Sequence, residues 1–237
     1  MNPKKFTVYF VLPLATSMAL IACYFSGIRL LETIVAAPYF EGVQDNSRRE
    51  FGLLENIQAA LILAMSVIAF RTAYRCGVRY VRWFIYLVGA CATMLLLEEI
   101  DYGLHFYDYV MKVPLEETVK TRNLHNQGDI TLRLKQLSDA ITLGFFVIAP
   151  FMAGRIRNLN IRYLIPDRYS VLTVLAAIIT RTVAHALDDL GMGYGLGSNI
   201  AEFREMVTYY VMFLWACQLA RTGPLREDPG EESAPPG

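Results

Sequence analysis

The most constraining feature of this chain is a long run of uncharged residues near its beginning. After Lys4 and Lys5, the 23 positions from Phe6 to Ile28 carry no charged side chain. A helix that spans a bilayer needs about 20 such residues at ~1.5 Å of rise each, so the run predicts a transmembrane helix. A cleaved signal peptide is the alternative, because Leu20 to Cys23 resembles a lipoprotein cleavage box. The length of the run and the apolar segments after it favour the helix.

Five more apolar segments follow, at 51–70, 83–97, 140–154, 169–180 and 206–220. The last four hold only 12 to 15 uncharged residues, so each must extend through flanking charged residues to cross a bilayer. The composition agrees, because 54% of the residues are hydrophobic and the mean hydropathy is +0.34. The four cysteines form no C-x-x-C pair and are expected to be packing residues. We therefore predict an all-α, polytopic bundle of six transmembrane helices.

Positive charge predicts the orientation of these helices. Lysine and arginine are concentrated before the first segment, at 71–82, at 155–168 and after the sixth segment. These positions share one side if both termini are cytoplasmic, which gives an inner-membrane protein with an N-in, C-in topology. The membrane domain is expected over 1–221, and the Pro, Gly, Glu and Ser content of 222–237 predicts a disordered cytoplasmic tail. With 22 basic and 22 acidic residues, no net charge points to nucleic acid.

Ionisable residues enter the predicted helices from the outer side alone. The apolar run before Glu98 and Glu99 is too short to cross a bilayer, so these acids are expected at membrane depth. On a continuous helix, Glu98, Asp101 and His105 would share one face. The other ionisable residues in the outer halves of the predicted helices are Glu55, Asp139, Arg181, His185, Asp188, Glu202, Arg204 and Glu205.

Buried carboxylates are costly unless they bind a cation or pair with a base. Carboxylate and imidazole groups drawn from several facing helices are typical of metal sites in bundles, and they suit zinc, iron or manganese. The predicted metal ligands are Glu55, Glu98, Glu99, His105, His125, Glu202 and Glu205. The alternative is a network of ion pairs and hydrogen bonds that serves packing alone.

Three local patterns resemble a group of poorly characterised bacterial multi-pass membrane proteins. They are the acid-rich stretch 49–58, the segment Glu98-Glu99-Ile100-Asp101-Tyr102-Gly103 and the element Asn123-Leu124-His125-Asn126. The resemblance covers about a third of the chain, and Asp101, Tyr102 and Leu104 stand where that group has Ser, Trp and Gln. It implies that Glu55, Glu98, Glu99 and His125 act as a set, without naming a reaction.

We interpret the chain as a metal-dependent membrane enzyme, a hydrolase or an oxidase, with a role in lipid metabolism. It would act at the outer face on a membrane lipid or a lipid-linked substrate, and a homo-oligomer is compatible with this interpretation. Glu98, Glu99, Asp101 and His185 are the predicted catalytic residues, and Arg181 is the predicted contact for an anionic group of the substrate. The alternatives are a proton- or cation-coupled carrier of small solutes, and a structural or assembly subunit of a membrane complex.

Overall fold

A computed structural model of the protein describes residues 2–36, 52–103, 107, 110–111, 136–192 and 200–222. All the regular structure in these residues is helical. The helices are α1 (Pro3–Tyr24), α2 (Arg29–Ala36), α3 (Leu53–Arg75), α4 (Arg79–Glu99), α5 (Gln136–Arg155), α6 (Leu159–Leu164), α7 (Ser170–Asp189) and α8 (Ile200–Arg221).

Five of the described helices, α1, α3, α4, α5 and α7, are long and apolar enough to cross a membrane. The prediction of an all-helical membrane protein is confirmed to this extent. The short apolar segments do continue through their charged flanks: α7, for example, runs past Arg181 and His185 to Asp189. One predicted extension is wrong, because α4 ends at Glu99 and Asp101 lies beyond it in a short 3-10 turn.

Helix α8 packs in the middle of the bundle, against α3, α7 and α1. Its 22 residues give a length of about 33 Å, yet it is not among the five apolar helices. Phe203, Val207 and Val211 are almost completely buried, as are seven further residues of this helix. A helix enclosed by protein can carry polar side chains that neighbouring helices bind, so α8 does not need the uniformly apolar surface of a lipid-facing helix.

Pro13 interrupts the hydrogen bonding of α1, and hydroxyl groups from two other helices replace the missing donor. Proline has no N–H group, and α1 widens to a π-helix over Thr7–Val11 just before it. The Thr173 hydroxyl donates to the Tyr9 carbonyl at 2.5 Å, and the Tyr210 hydroxyl donates to the Val8 carbonyl at 3.0 Å. These are the carbonyls that precede Pro13 by four and five residues. The polar side chain of Thr173 is therefore buried because it completes the backbone of another helix.

The same arrangement recurs at Pro150 in α5. A π-helical segment, Thr142–Ile148, precedes this proline, and the carbonyl four residues before it belongs to Phe146. The Ser170 hydroxyl of α7 donates to that carbonyl at 2.7 Å. Ser170 and Thr173 lie one turn apart and are 2% and 0% exposed, so a single face of α7 stabilises both interrupted helices.

The two ends of the bundle differ in charge and in the helix ends that they bring together. At the end that we call the basic end, the Asn2 amide donates to the Tyr169 hydroxyl at 2.7 Å, and Lys5 pairs with Asp167. There the Trp215 indole also donates to the Leu164 carbonyl at 2.8 Å. The opposite end, which we call the acidic end, holds the end of α4 and of α7 and the beginning of α3, α5 and α8. The long helices of the described residues thus run alternately toward one end of the bundle and toward the other.

Candidate functional site

A cleft of about 1320 Å³ opens among α4, α5, α7 and α8. It occupies the half of the bundle toward the acidic end. Its lining changes from polar at that end to apolar toward the middle of the helices. The polar lining side chains are Glu98, Glu99, Ser138, Asp139, Thr142, Arg181, Thr182, His185, Asp189, Arg204, Glu205, Thr208 and Tyr209. The apolar lining side chains are Leu87, Ala90, Cys91, Met94, Leu95, Leu143, Val174, Ala177, Ile178 and Ala186.

An apolar cluster closes the bundle beyond the cleft. Phe146 of α5 is buried with Ile85 of α4 and Trp215 of α8, near the basic end. The rings of Phe146 and Trp215 meet edge to face with their centroids 6.3 Å apart. Both α4 and α5 contribute to this cluster, and the parts of both helices toward the acidic end line the cleft.

Glu99 is held by a phenol from the central helix. The Tyr209 hydroxyl donates to Glu99 Oε1 at 2.6 Å, and the Tyr209 side chain is 9% exposed. Glu205 lies one turn before Tyr209 on α8 and also lines the cleft. A phenol hydrogen-bonded to a carboxylate in a partly buried position is an arrangement that can hold a proton and pass it on.

Glu98 is bound by a second phenol, which a turn after α4 provides. Tyr102 has φ 54° and ψ 21°, the left-handed conformation that is uncommon for a bulky residue. Its hydroxyl donates to Glu98 Oε1. This turn corrects the expectation that Glu98, Asp101 and His105 share one helix face, because the helix that would align them ends at Glu99. The side chain of Asp101 and the whole of His105 lie outside the described residues.

The basic side chains of the cleft have different surroundings. Arg204 Nη1 lies 3.2 Å from Asp139 Oδ1, so one guanidinium is paired with a carboxylate across the cleft from α8 to α5. Arg181 and His185, one turn apart on α7, are exposed to the cleft. In the described parts of the chain Arg181 has no ion pair. This places Arg181, the predicted anion contact, in the cleft wall with Glu98, Glu99, His185 and Glu205.

Two predicted metal ligands lie elsewhere, at the contact of α3 with α8. Gln58 Nε2 donates to the Glu202 backbone carbonyl at 2.9 Å and to Glu202 Oε2 at 3.0 Å. Gln58 is completely buried, and Glu55 precedes it by one turn in the first turn of α3. Neither Glu55 nor Glu202 lines the cleft. The structure thus separates these predicted ligands into a cleft group, Glu98, Glu99 and Glu205, and an α3–α8 group, Glu55 and Glu202.

The described residues do not by themselves fit a metal ion. Within them, no group of three or more His, Cys, Asp or Glu side chains is arranged to hold one. The carboxylates of Glu98 and Glu99 each accept a phenolic hydrogen bond instead. The remaining predicted ligands, His105 and His125, lie outside the described residues, so a metal site would depend on them.

Sequence reasoning missed Tyr209 and the partnership of Asp139 with Arg204. A signal for Tyr209 exists, because Glu202, Glu205 and Tyr209 follow one another at i, i+3 and i+7 on α8 and so share a face. The pairing of Asp139 with Arg204 joins residues 65 positions apart in sequence, and no helical spacing reveals it.

Comparison with models of protein families, with curated proteins and with solved structures gives no match to this chain.

Proposed function

We propose that this protein is an inner-membrane protein of six spans with both termini in the cytoplasm. The five apolar helices and the central α8 supply the spans, and arginine and lysine at the basic end favour a cytoplasmic position for that end. The acidic end and its cleft then face the outer, periplasmic side.

We further propose that the cleft binds a lipid or a lipid-linked substrate and that the protein is an enzyme acting on it. The observation that carries this proposal is the polarity of the cleft: charged side chains line its outer end, and Leu87, Met94 and Ile178 line its deeper part. A volume of about 1320 Å³ exceeds the ~300–1,000 Å³ of usual small-ligand pockets, which leaves room for a headgroup and part of its chains. Such a substrate would enter the cleft from the bilayer.

The residues of the cleft suit acid–base chemistry on a headgroup. Glu98 and Glu99 would take up or release a proton, with Tyr102 and Tyr209 positioning their carboxylates. Arg181 would hold an anionic group of the substrate. Glu99→Gln removes the charge of the side chain and keeps its volume. The variant therefore tests proton transfer without opening a cavity.

A carrier is the weaker candidate because it needs a path to both sides of the membrane. The apolar cluster around Ile85, Phe146 and Trp215 lies between the cleft and the basic end. Binding of a divalent metal ion is a separate proposal, and it would depend on His105 and His125.

The first experiment measures lipid bound by the full chain. Native mass spectrometry of the protein in mild detergent should show at least one retained phospholipid per chain. Ala90→Trp, which fills the cleft from α4, should remove it, whereas Val67→Trp on the exposed surface of α3 should not. Equal retention by the wild type and by Ala90→Trp would refute the lipid-binding cleft.

The second experiment measures turnover. Proteoliposomes made with a total lipid extract of the expression host should show a change in at least one lipid class during incubation. Glu99→Gln should keep the retained lipid and lose the change. If no class changes with the wild type, the enzyme proposal is wrong, and a carrier or a structural subunit becomes the better hypothesis.

A further inference from the structure

The part of α5 nearest the acidic end, residues 136–141, forms one side of the cleft. Ser138 and Asp139 line the cleft. Leu137 and Ile141, one turn apart on another face of the helix, do not line it and are 56% and 50% exposed. Exposed apolar side chains on a membrane helix are suited to contact with lipid chains. These residues therefore form a wall one helix thick between the cleft and the bilayer, which we call the α5 wall.

The α5 wall is loosely packed. None of the residues 136–145 is buried, and the apolar window of α5 is 11% buried, the smallest share among the five apolar helices. The next residue, Phe146, is 2% exposed, and its carbonyl accepts the hydrogen bond from the Ser170 hydroxyl. A segment that buries little apolar surface loses little stabilisation when it moves. The wall can therefore move while Phe146 stays in place.

A change of helix type follows the α5 wall directly. The π-helical segment Thr142–Ile148 begins at the residue after it. Kinks in helices are common at such segments, because the wider turn changes the hydrogen-bond pattern of the backbone. Pro150 follows this segment and offers no N–H group to the carbonyls before it. Bending near Thr142 would move the wall as a unit.

An ion pair joins the α5 wall to the central helix. Arg204 Nη1 of α8 lies 3.2 Å from Asp139 Oδ1, and the two side chains are 21% and 59% exposed. Asp139 is the only charged residue of the wall. A partly exposed ion pair contributes little energy, so it can break and form again in thermal motion. The pair is thus strong enough to favour one position of the wall and too weak to fix it there.

We propose that the α5 wall is a gate, which bends near Thr142 to admit a lipid to the cleft and which the ion pair of Asp139 with Arg204 holds closed. This inference rests on the proposed function and adds the control of access to it. Loss of the ion pair should favour the open state. A covalent link between the same two positions should prevent opening.

The first test uses Cys91, an exposed cysteine in the cleft, as a reporter of access. In a variant whose other three cysteines are replaced by alanine, the rate of reaction with pyrene maleimide, a large apolar reagent, is measured in mixed micelles. Asp139→Asn and Arg204→Gln should each raise this rate about twofold to fivefold, the range that a partly exposed ion pair corresponds to. The small reagent N-ethylmaleimide corrects for changes in the reactivity of the thiol itself.

Two further variants control the first test. The charge swap, Asp139→Arg with Arg204→Asp, should return the rate toward that of the single-cysteine parent, and a misfolded protein would not recover in this way. Asp188→Asn should leave the rate unchanged, because Asp188 is at the same end of the bundle but does not line the cleft. The role of the ion pair is refuted if neither neutral variant changes the rate, or if Asp188→Asn raises it equally.

The second test closes the gate covalently. In a background without the native cysteines, Asp139→Cys and Arg204→Cys are joined by a bifunctional methanethiosulfonate reagent. Exchange of the retained phospholipid for a deuterium-labelled one, followed by native mass spectrometry, should slow by at least about tenfold, because the open state is no longer populated. Dithiothreitol should restore the exchange, and the variant with Asp139→Cys alone should not respond to the reagent. Equal exchange before and after reduction would overturn the gate.

The gate and the proposed function fail in different ways. If Ala90→Trp and the wild type retain the same amount of lipid, the proposed function itself falls. If the wild type retains lipid that Ala90→Trp loses, and the covalent link leaves the exchange unchanged, the lipid cleft stands and the gate falls.

Discussion

The hydroxyl group of Thr173 is expected to stabilise the protein because it replaces a backbone donor that Pro13 lacks. Thr173→Val keeps the shape of the side chain and removes the 2.5 Å hydrogen bond to the Tyr9 carbonyl, which leaves that carbonyl without the donor. An unsatisfied buried acceptor costs ~1–3 kcal/mol, and hydrogen bonds between membrane helices are worth up to ~1.7 kcal/mol. We therefore expect Thr173→Val to lower the free energy of unfolding by about 1–2 kcal/mol.

A double variant tests this role of the Thr173 hydroxyl more sharply. In Pro13→Ala the new N–H group at position 13 can donate to the carbonyls that the proline leaves free. The cost of Thr173→Val should therefore fall to below about 0.5 kcal/mol in the Pro13→Ala background. Both costs are measured by reversible unfolding in mixed detergent micelles, followed by circular dichroism.

Thr182→Val is the control. The Thr182 hydroxyl donates to the Ile178 carbonyl of its own helix at 2.9 Å and the residue is exposed, so its loss should change stability by less than ~0.5 kcal/mol. The explanation of the buried hydroxyl would be refuted if Thr173→Val costs no more than Thr182→Val. It would also be refuted if the cost of Thr173→Val is the same with alanine as with proline at position 13.

Four other predictions follow from the same structure. Tyr209→Phe removes the hydrogen bond to the Glu99 carboxylate, and it should lower turnover of the lipid substrate by about tenfold (~1.4 kcal/mol) while lipid retention stays near the wild-type level. Gly89→Leu should destabilise the contact of α3 with α4 by ~1–3 kcal/mol in the same unfolding assay, because even a Cβ atom there would lie 3.2 Å from the Phe70 ring. A variant whose single cysteine replaces Leu159, in α6 at the basic end, should react with a membrane-impermeant maleimide only after spheroplasts are opened. Labelling of this cysteine in intact spheroplasts would show that the topology is the reverse of the proposed one. Elemental mass spectrometry of the purified protein tests the metal proposal: near-stoichiometric zinc, iron or manganese that His125→Ala removes would support it, and a metal-free, well-folded protein would contradict it.

Much of the fold follows from the distribution of charge along the chain. The uncharged run from Phe6 to Ile28 predicts α1, and the shorter runs predict helices that must continue into charged flanks, as α7 does as far as Asp189. The rule behind both is that the bilayer requires a minimum length of helix. The same rule predicts that acids such as Glu98 and Glu99 lie together at one end of the bundle.

The extent of α4 beyond its apolar run could not be predicted in the same way. The sequence continues with Ile100, Asp101 and Tyr102, and none of these residues must end a helix. The helix ends at Glu99, and Tyr102 in the turn after it has a left-handed conformation with its hydroxyl bound to Glu98. A local turn of this kind depends on contacts that helical periodicity does not describe.

The sequence by itself therefore determined the helical class of the protein, the approximate bounds of its apolar helices and the end of the bundle at which the ionisable residues gather. The tertiary structure alone decided which of these residues share a cleft. Glu99 and Tyr209 are 110 positions apart in sequence and form a hydrogen bond, whereas Glu55 and Glu202 lie at the contact of α3 with α8 and do not line the cleft. Depth in the membrane is fixed by hydrophobicity along one chain segment, whereas the face that a side chain presents to a partner is fixed by the packing of several helices.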